Sequence, residues 1–189
     1  MQIKGLSSNL VDFRSIEEAQ IAEMHPRQNG DLGYELAYML DFEFPWAPRS
    51  LAQIRAKVEE IQKQERTVLF AIFSKSNEFV GLAQYSAVWD AWEPYVGVIV
   101  WPEHRRKGYG SETARLLLEV AFMHDIAHVT TSWIADWDET AIAFAESLGF
   151  KRAGVQRRTG VREGKFFNVV AFDMLRDEYL ARRKWGGGK

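Results

Sequence analysis

Cysteine is missing from all 189 residues. Its absence removes thiol nucleophiles, Cys-based zinc sites and disulfides, and leaves the redox compartment open. An excess of one charge is missing too: the formal net charge is −2, with basic and acidic residues mixed along most of the chain. That balance argues against a dedicated nucleic-acid surface or a polybasic membrane anchor. No apolar run approaches the length of a membrane span, and Met1-Gln2-Ile3-Lys4 lacks the apolar core of a signal peptide, so no membrane contact is expected and the cytoplasm is the default location. The histidines, His25, His104, His124 and His128, show no metal-ligand spacing, and no metal is expected.

What remains is an ordinary soluble composition, long enough to bury a core without staples. Residues 1–184 are expected to form one domain, with 185–189 as a frayed tail. Residues 10–13 predict a short strand, and Ser15 and Glu18 have capping-box spacing for a helix start. Residues 26–33 are polar and rich in Gly and Asn, and 42–48 are aromatic with two prolines, which predicts loops around a short helix at 34–40. Ser50 opens a helix in which Leu51, Ile54, Val58 and Ile61 recur at helical spacing.

The pattern then turns to strands: 67–73 and 79–89 as a hairpin across Lys75-Ser76-Asn77, and a third at 95–100 that Pro102 stops. A loop at 103–110 feeds a helix over 111–124 with an apolar stripe of Leu117, Leu118, Ala121 and Phe122. A strand at 129–134 follows, then a helix capped by Asp138 and closed by Gly149. A second hairpin, 151–162 with 166–175 around Glu163-Gly164, precedes a charged terminal helix. The order β-α-α-β-β-β-α-β-α-β-β predicts one mixed α/β domain.

The loop between the third strand and its helix is the strongest chemical signal. A helix N-terminus offers unpaired N–H groups and partial positive charge. Gly108 and Gly110 permit close backbone approach, and Arg105, Arg106 and Lys107 add three cations. A pyrophosphate suits this loop better than a carboxylate. Three or four charge-assisted hydrogen bonds, at roughly 1.5–3 kcal/mol each, could supply most of a micromolar affinity of about 8 kcal/mol before association costs. Standing alone, Gly108-Tyr109-Gly110 also fits a solvated turn. The spacing is neither that of a Walker loop, since no Gly-Lys-Ser/Thr follows, nor of a dinucleotide fingerprint, since the third glycine is missing.

Val98-Ile99-Val100-Trp101-Pro102 followed by Arg105-x-x-Gly108-x-Gly110 resembles the acetyl-CoA signature of the GNAT acetyltransferases. Asp138-x-x-Ala141, followed by Glu146-Ser147-Leu148-Gly149-Phe150, resembles that family's Asn-x-x-Ala/Ser helix ending in Leu-Gly-Phe. Gly154-x-x-Arg157, Glu163-Gly164 and Met174-Leu175-x-x-Glu178-Tyr179 are similar to its RimJ/RimL-like branch. The likeness runs from Leu10 to Tyr179. It implies a single domain with a splayed central sheet flanked by helices, and transfer of an acetyl group from acetyl-CoA to a primary amine.

The resemblance implies that the backbone of Val98, Ile99 and Val100 pairs with the pantetheine arm, as a substitute strand in the wedge beside strand 129–134. The amides from Arg106 to Ser111, with Arg105, Lys107, Gly108, Tyr109 and Gly110 around them, hold the pyrophosphate. Asp138 stands at the usual Asn position, where it contacts the arm or only caps its helix; it accepts hydrogen bonds but cannot donate an amide N–H.

The family's acid position carries Ala145 in place of tyrosine, and the alternative serine position carries Ala141. Ser147, Thr140 or water remain as proton sources. Glu93 and Asp136 are the carboxylates placed by chain order to act as base through a water, with solvated loop positions as the plainer role for each. Phe42, Phe44, Trp46, Trp89, Trp92 and Trp137 are candidates for the wall of an acceptor pocket. The acceptor is a protein N-terminus, an amino acid or a small-molecule amine, and pairing with a second copy stays open. A non-catalytic acyl-CoA binding module and a nucleotide-binding domain are the rival readings.

Overall fold

The computed structural model describes residues 6–87, 90 and 92–186. Seven strands follow one another in the hydrogen-bonded order β1-β2-β3-β4-β5-β7-β6. They are β1 Val11–Arg14, β2 Thr67–Ser74, β3 Phe79–Ala87, β4 Pro94–Val100, β5 Val129–Ala135, β6 Lys151–Arg162 and β7 Lys165–Leu175. All recorded neighbour pairs are antiparallel except β4 with β5. The helices are α1 Glu18–Gln28, α2 Gly33–Met39, α3 Leu51–Gln62, α4 Tyr109–Glu119, α5 Glu139–Leu148 and α6 Arg176–Gly186. This is the mixed α/β architecture expected from the sequence. Three helices separate β1 from β2, at the three places where helix signals were expected, one more than the condensed order β-α-α-β carries.

The chain forms two compact units, Met1–Ser86 with Gly97–Leu116 and Ala87–Val96 with Leu117–Lys189. In the first, the apolar faces of α1, α2 and α3 supply Ile21, Met24, Leu36, Ile54, Val58 and Ile61 to a core completed by Leu69, Phe73, Leu82 and Trp101. Ser50 caps α3 by accepting the Gln53 N–H at 3.2 Å, and Gln53 reciprocates to the Ser50 N–H at 2.9 Å.

The first helix differs from expectation at both ends. Its cap is Glu17, whose N–H donates to the Gln20 side chain at 3.1 Å, and not Ser15 with Glu18. Ile16 must reach the core, where it is 3% exposed, and this sets the first turn later. At the other end α1 runs through Pro26 to Gln28 instead of breaking into a loop. The proline ring removes one backbone hydrogen bond there, while burial of Met24 and Gln28 holds the last turn in place.

In the second unit, β5 and β7 pair from Val129↔Leu175 to Ala135↔Val169, and Tyr179 of α6 stacks on Phe122, in the turn that follows α4, at 4.8 Å. Asp138 caps α5 by accepting the Ala141 N–H at 2.9 Å. Gly149 ends that helix in the left-handed region (φ 102°) with the Arg182 guanidinium seated against it. After Glu119 the chain makes a π-helical turn over Val120–His124, and Ile126 follows at φ 56°. The helix α6 runs to Gly186, two residues into the expected tail, and 187–189 lie outside the described residues. So do Val88 and Trp89 at the expected end of the second hairpin strand. Among the described residues, no helix is long and apolar enough to cross a membrane.

Candidate active site

In the first unit, the carboxyl half of β4 runs close over Gly81 of β3. A Cβ at Gly81 would collide with the Ile99 carbonyl and lie 3.0 Å from the Val100 Cα. The lone glycine in an apolar strand was the available signal for this approach. β4 pairs in parallel with β5 at Tyr95↔Thr131. Further along β4, the Arg105 Nε donates to the Val100 oxygen at 3.0 Å.

Trp101 follows, fully buried, with Phe79 edge-on at 5.2 Å and the Arg27 guanidinium 4.8 Å from its ring centre. Arg27 also pairs with Glu103 at 2.6 Å. Pro102–His104 form one 3-10 turn. The backbone then turns left-handed at Arg106 (φ 62°) and again at Gly108 (φ 85°), an alternation that gathers N–H groups into a concave anion seat.

The helix α4 starts at Tyr109, two residues before the expected Ser111. Its first closing bond runs from the Glu112 N–H to the Gly108 carbonyl at 3.0 Å, which leaves the amides of Tyr109, Gly110 and Ser111 as the helix's orphan donors. The side chains of Arg105, Arg106, Lys107 and Ser111 are exposed beside them. Tyr109 lies edge-on to His104 at 6.3 Å, a packing contact. Glu112 could oppose an anion here, but Arg115 holds it at 2.7 Å and, with the Ser8 hydroxyl, keeps its carboxyl below the usual range. A Cβ on Gly108 would sit 3.5 Å from Leu10, so residues just before β1 brace the loop. The seat suits a diphosphate with an extended arm continuing along β4.

In the second unit the expected carboxylates have different surroundings. Glu93 is half-buried in the turn before β4. Asp136, directly after β5, is clasped by Asn168 of β7: its carboxylate accepts the Asn168 N–H at 3.1 Å and side-chain amide at 2.7 Å, and the Asp136 N–H donates to the Asn168 carbonyl at 2.9 Å. The Asn168 side-chain oxygen in turn accepts the Arg158 N–H at 2.9 Å. Asn168 was missed in the sequence, although a single amide in the apolar run Phe166-Phe167-Asn168-Val169-Val170 was a usable signal. Arg162 lies 3.8 Å from the centre of the Trp137 ring.

Ala145 is buried and brings no hydroxyl, and Ser147, one of the expected proton sources, donates to the Phe144 carbonyl at 2.7 Å. Tyr95 stacks on Trp133 at 5.5 Å, and desolvation pushes its phenol up to about 12, so it stays neutral at ordinary pH. Of the aromatic residues considered for a pocket wall, Phe42 packs on the first unit's core, while Phe44 and Trp46 are exposed and edge-on at 6.2 Å. In the second unit Trp92 is exposed and Trp137 half-buried, and Trp89 lies outside the described residues. Among the described residues no group of three or more His, Asp and Glu side chains could hold a metal ion.

Comparison with known proteins bears on this geometry. Residues 12–151 match the model of the acetyltransferase (GNAT) domain. A prophage-derived uncharacterized N-acetyltransferase of Bacillus subtilis, YokL, is 25% identical over 145 residues, which cover 70% of this chain and 75% of YokL. Among solved structures, the spermidine N-acetyltransferase of Vibrio cholerae in complex with CoA and spermine superposes with a TM-score of 0.76 at 18% identity, covering 90% of this chain and 98% of the other. The spermidine/spermine N-acetyltransferase SpeG of the same organism, crystallised with manganese ions, gives a TM-score of 0.72 at 17% identity, covering 92% and 96%.

Proposed function

Because the chain belongs to the acetyltransferase (GNAT) family, we propose that it moves the acetyl group of acetyl-CoA to a primary amine by direct attack in a ternary complex. That it is an acetyl-CoA dependent N-acetyltransferase follows from the family; the acceptor and the residue roles below are our reading. One observation carries them, the seat from Arg106 to Ser111 with two left-handed residues opening α4. Its donor set fits a pyrophosphate: three orphan amides, a serine hydroxyl and exposed cations. Arg105 has a different part, bracing the Val100 carbonyl; Trp101 donates to the Val80 carbonyl of β3, so by strand alternation Ile99 also faces β3, and Val98 with the Val100 N–H is left for the pantetheine arm. Asp138 contributes as the cap that orients α5.

The co-substrate supplies an activated thioester carbonyl. With no cysteine in the chain, the amine itself attacks; its lone pair forms the N–C bond as the C–S bond breaks. A thiol pKa near 8.5 makes the thiolate a tolerable leaving group, so water suffices as proton source where Ala145 offers none. The attacking amine must be neutral, which costs roughly 4 kcal/mol at pH 7 for an alkyl amine and about 1 kcal/mol for an α-amine. We assign the base, through a water, to Glu93. Asp136, held by Asn168, is assigned to positioning at the carboxyl end of β5, where the acceptor is served. The runs Gly154-x-x-Arg157 and Met174-Leu175-x-x-Glu178-Tyr179 support a RimJ/RimL-like branch, and the Vibrio cholerae enzymes, named for spermidine and spermine, support a small-molecule amine as acceptor.

The test is calorimetric titration with acetyl-CoA, with ATP and NADH as controls, followed by free-thiol release over a panel of amines. Selective binding with release is expected. Binding without release on any amine would instead make the chain a non-catalytic acyl-CoA module. For the base, Glu93→Gln should lose activity most below the pKa of the acceptor amine, where the base is needed. Full activity from pH 6 to 9 removes Glu93 from the mechanism.

A further inference from the structure

We infer that the three-residue bulge Arg157-Arg158-Thr159 in β6, together with Arg162, recognises an anionic group, a carboxylate or phosphate, carried by the acceptor beside its amine. The inference rests on the acceptor reading above and adds the charge class of the substrate.

Charge is distributed unevenly in this chain. Its net charge is −2, yet residues 151–165 hold six basic side chains and one acidic one. Lys165 opens β7, and the five on β6 divide by position. Lys151 and Arg152 are paired with Glu178 and Glu146, whereas Arg157, Arg158 and Arg162 lie further along β6, toward the β6–β7 turn. There the ladder breaks: Gln156 faces Val169, the next recorded pair is Gly160↔Phe167, and 157–159 are left out of register. Arg158 takes a left-handed backbone (φ 52°), an uncommon conformation for a side-chain-bearing residue.

The bulge is also held in place. The Thr159 hydroxyl donates to the Gln156 carbonyl at 2.9 Å, and the Arg158 N–H donates to the Asn168 side chain at 2.9 Å. Through Asn168 it is tied to Asp136 at the end of β5. The arginine side chains rest on aromatic rings, Arg158 at 5.4 Å from Phe166 and Arg162 at 3.8 Å from Trp137. Contacts of this kind set a guanidinium plane against an aromatic face and hold the charge in place. Negative charge nearby is the smaller share: the Asp136 carboxylate, bonded to the neutral Asn168 amide, and Glu163, 3.6 Å from the Arg162 Nε and 83% exposed, stand against three arginines and Lys165.

A polycation arriving at this end of β5 meets like charge from three arginines, while a carboxylate or phosphate meets planar donors suited to it. The structure therefore departs in charge from what its spermidine-acetylating fold relatives suggest. Asn168 is a positioning residue here, since it acts through the bulge and not on the substrate.

The experiment is a thiol-release assay with acceptors matched except for the anion: β-alanine against β-alaninamide for the carboxylate, phosphoethanolamine against ethanolamine for the phosphate, and spermidine as polycation. Expected are higher kcat/KM for the anionic member of at least one pair and poor use of spermidine. In Arg157→Gln/Arg158→Gln, that preference should fall about tenfold or more through KM, the loss expected for removing a charge-assisted hydrogen bond. Lys151→Gln should leave the ratio as it is. A preference unmoved in the double variant, or spermidine used ahead of both anionic amines, overturns the inference and leaves acetyl transfer intact. Acetyl-CoA binding with no release on any amine overturns the acceptor reading, and this inference with it.

Discussion

The phosphate seat and the β5 exit recruit different parts of the chain. From Val98 to Ser111 the groups that matter are main-chain amides and carbonyls, and side chains either stand aside, as at Gly108, or brace the backbone, as Arg105 does for Val100. Between Asp136 and Asn168, 32 residues apart, side chains take part: the Asp136 carboxylate accepts the Asn168 side-chain amide at 2.7 Å and its backbone N–H at 3.1 Å. A main-chain site is insensitive to most substitutions but intolerant of a changed φ. A side-chain site inverts those sensitivities. The proposed function puts acetyl-CoA recognition on the first kind and acceptor choice on the second.

The sharpest way to break the contrast is Gly108→Val. Gly108 is at φ 85° with Leu10 3.5 Å from its missing Cβ. A β-branched residue there is strained by about 1–2 kcal/mol or turns its amide away. Acetyl-CoA affinity should fall about 100-fold, the equivalent of one or two charge-assisted hydrogen bonds. Calorimetric titration reads this directly, and an unchanged affinity takes the pyrophosphate off the loop.

Asn168→Ala tests the other region. It removes the side-chain bonds to the Asp136 carboxylate and to the Arg158 N–H together, while the backbone N–H still bonds Asp136, and losing two such bonds costs about 2 kcal/mol. Urea denaturation should show that loss, while acetyl-CoA affinity stays near the wild-type value. A matching drop in acetyl-CoA affinity would mean that the two regions are not separable.

The same contrast explains what could be read before the fold was known. The seat was legible because its glycines, cations and helix start fall within fourteen consecutive residues, and backbone chemistry leaves a local trace. Ser50 and Asp138 as caps, and the α3 stripe, were legible for the same reason. The Glu17 cap and Pro26 inside α1 were not, because burial of Ile16, Met24 and Gln28, a property of the assembled core, overrode local propensity. Asn168 and the Arg157–Thr159 bulge depend on β6–β7 register, which a run of strand-forming residues does not specify. Asp136 is expected from the sequence as a base candidate or a solvated loop carboxylate, and its bonds to Asn168 become visible only with the tertiary pairing.

Left-handed residues sharpen the comparison further. The seat uses glycine at one of its two such positions, but the turn after α4 places Ile126 at φ 56° with its side chain 63% exposed. Here burial returns little for the strain. Ile126→Gly should raise stability by about 1 kcal/mol, the relief of a left-handed β-branched residue offset in part by glycine's unfolded-state entropy. Thermal unfolding reads the change, and a lower Tm would mean that Ile126 makes contacts that outweigh its backbone cost.

The smallest effect concerns the brace behind the seat. Ser8 and Leu10 touch Glu112 and Gly108, and the neighbouring Asp12 is fixed by Lys75 at 2.6 Å and by the Ser7 hydroxyl at 2.6 Å. The hydrogen bond from Lys75, more than any other influence, holds the Asp12 carboxyl below its ordinary value. A depressed carboxyl favours the fold when ionised, so its contribution is present above about pH 4 and is lost as pH falls through the depressed value. The pair is partly exposed and screened, which limits it to under about 1 kcal/mol. Lys75→Gln should therefore be slightly less stable than the wild type at pH 6 and nearly equal to it at pH 2.5, when both are compared by urea denaturation. A difference that persists at pH 2.5 would assign Lys75's contribution to packing and leave Asp12 without a part in bracing the seat.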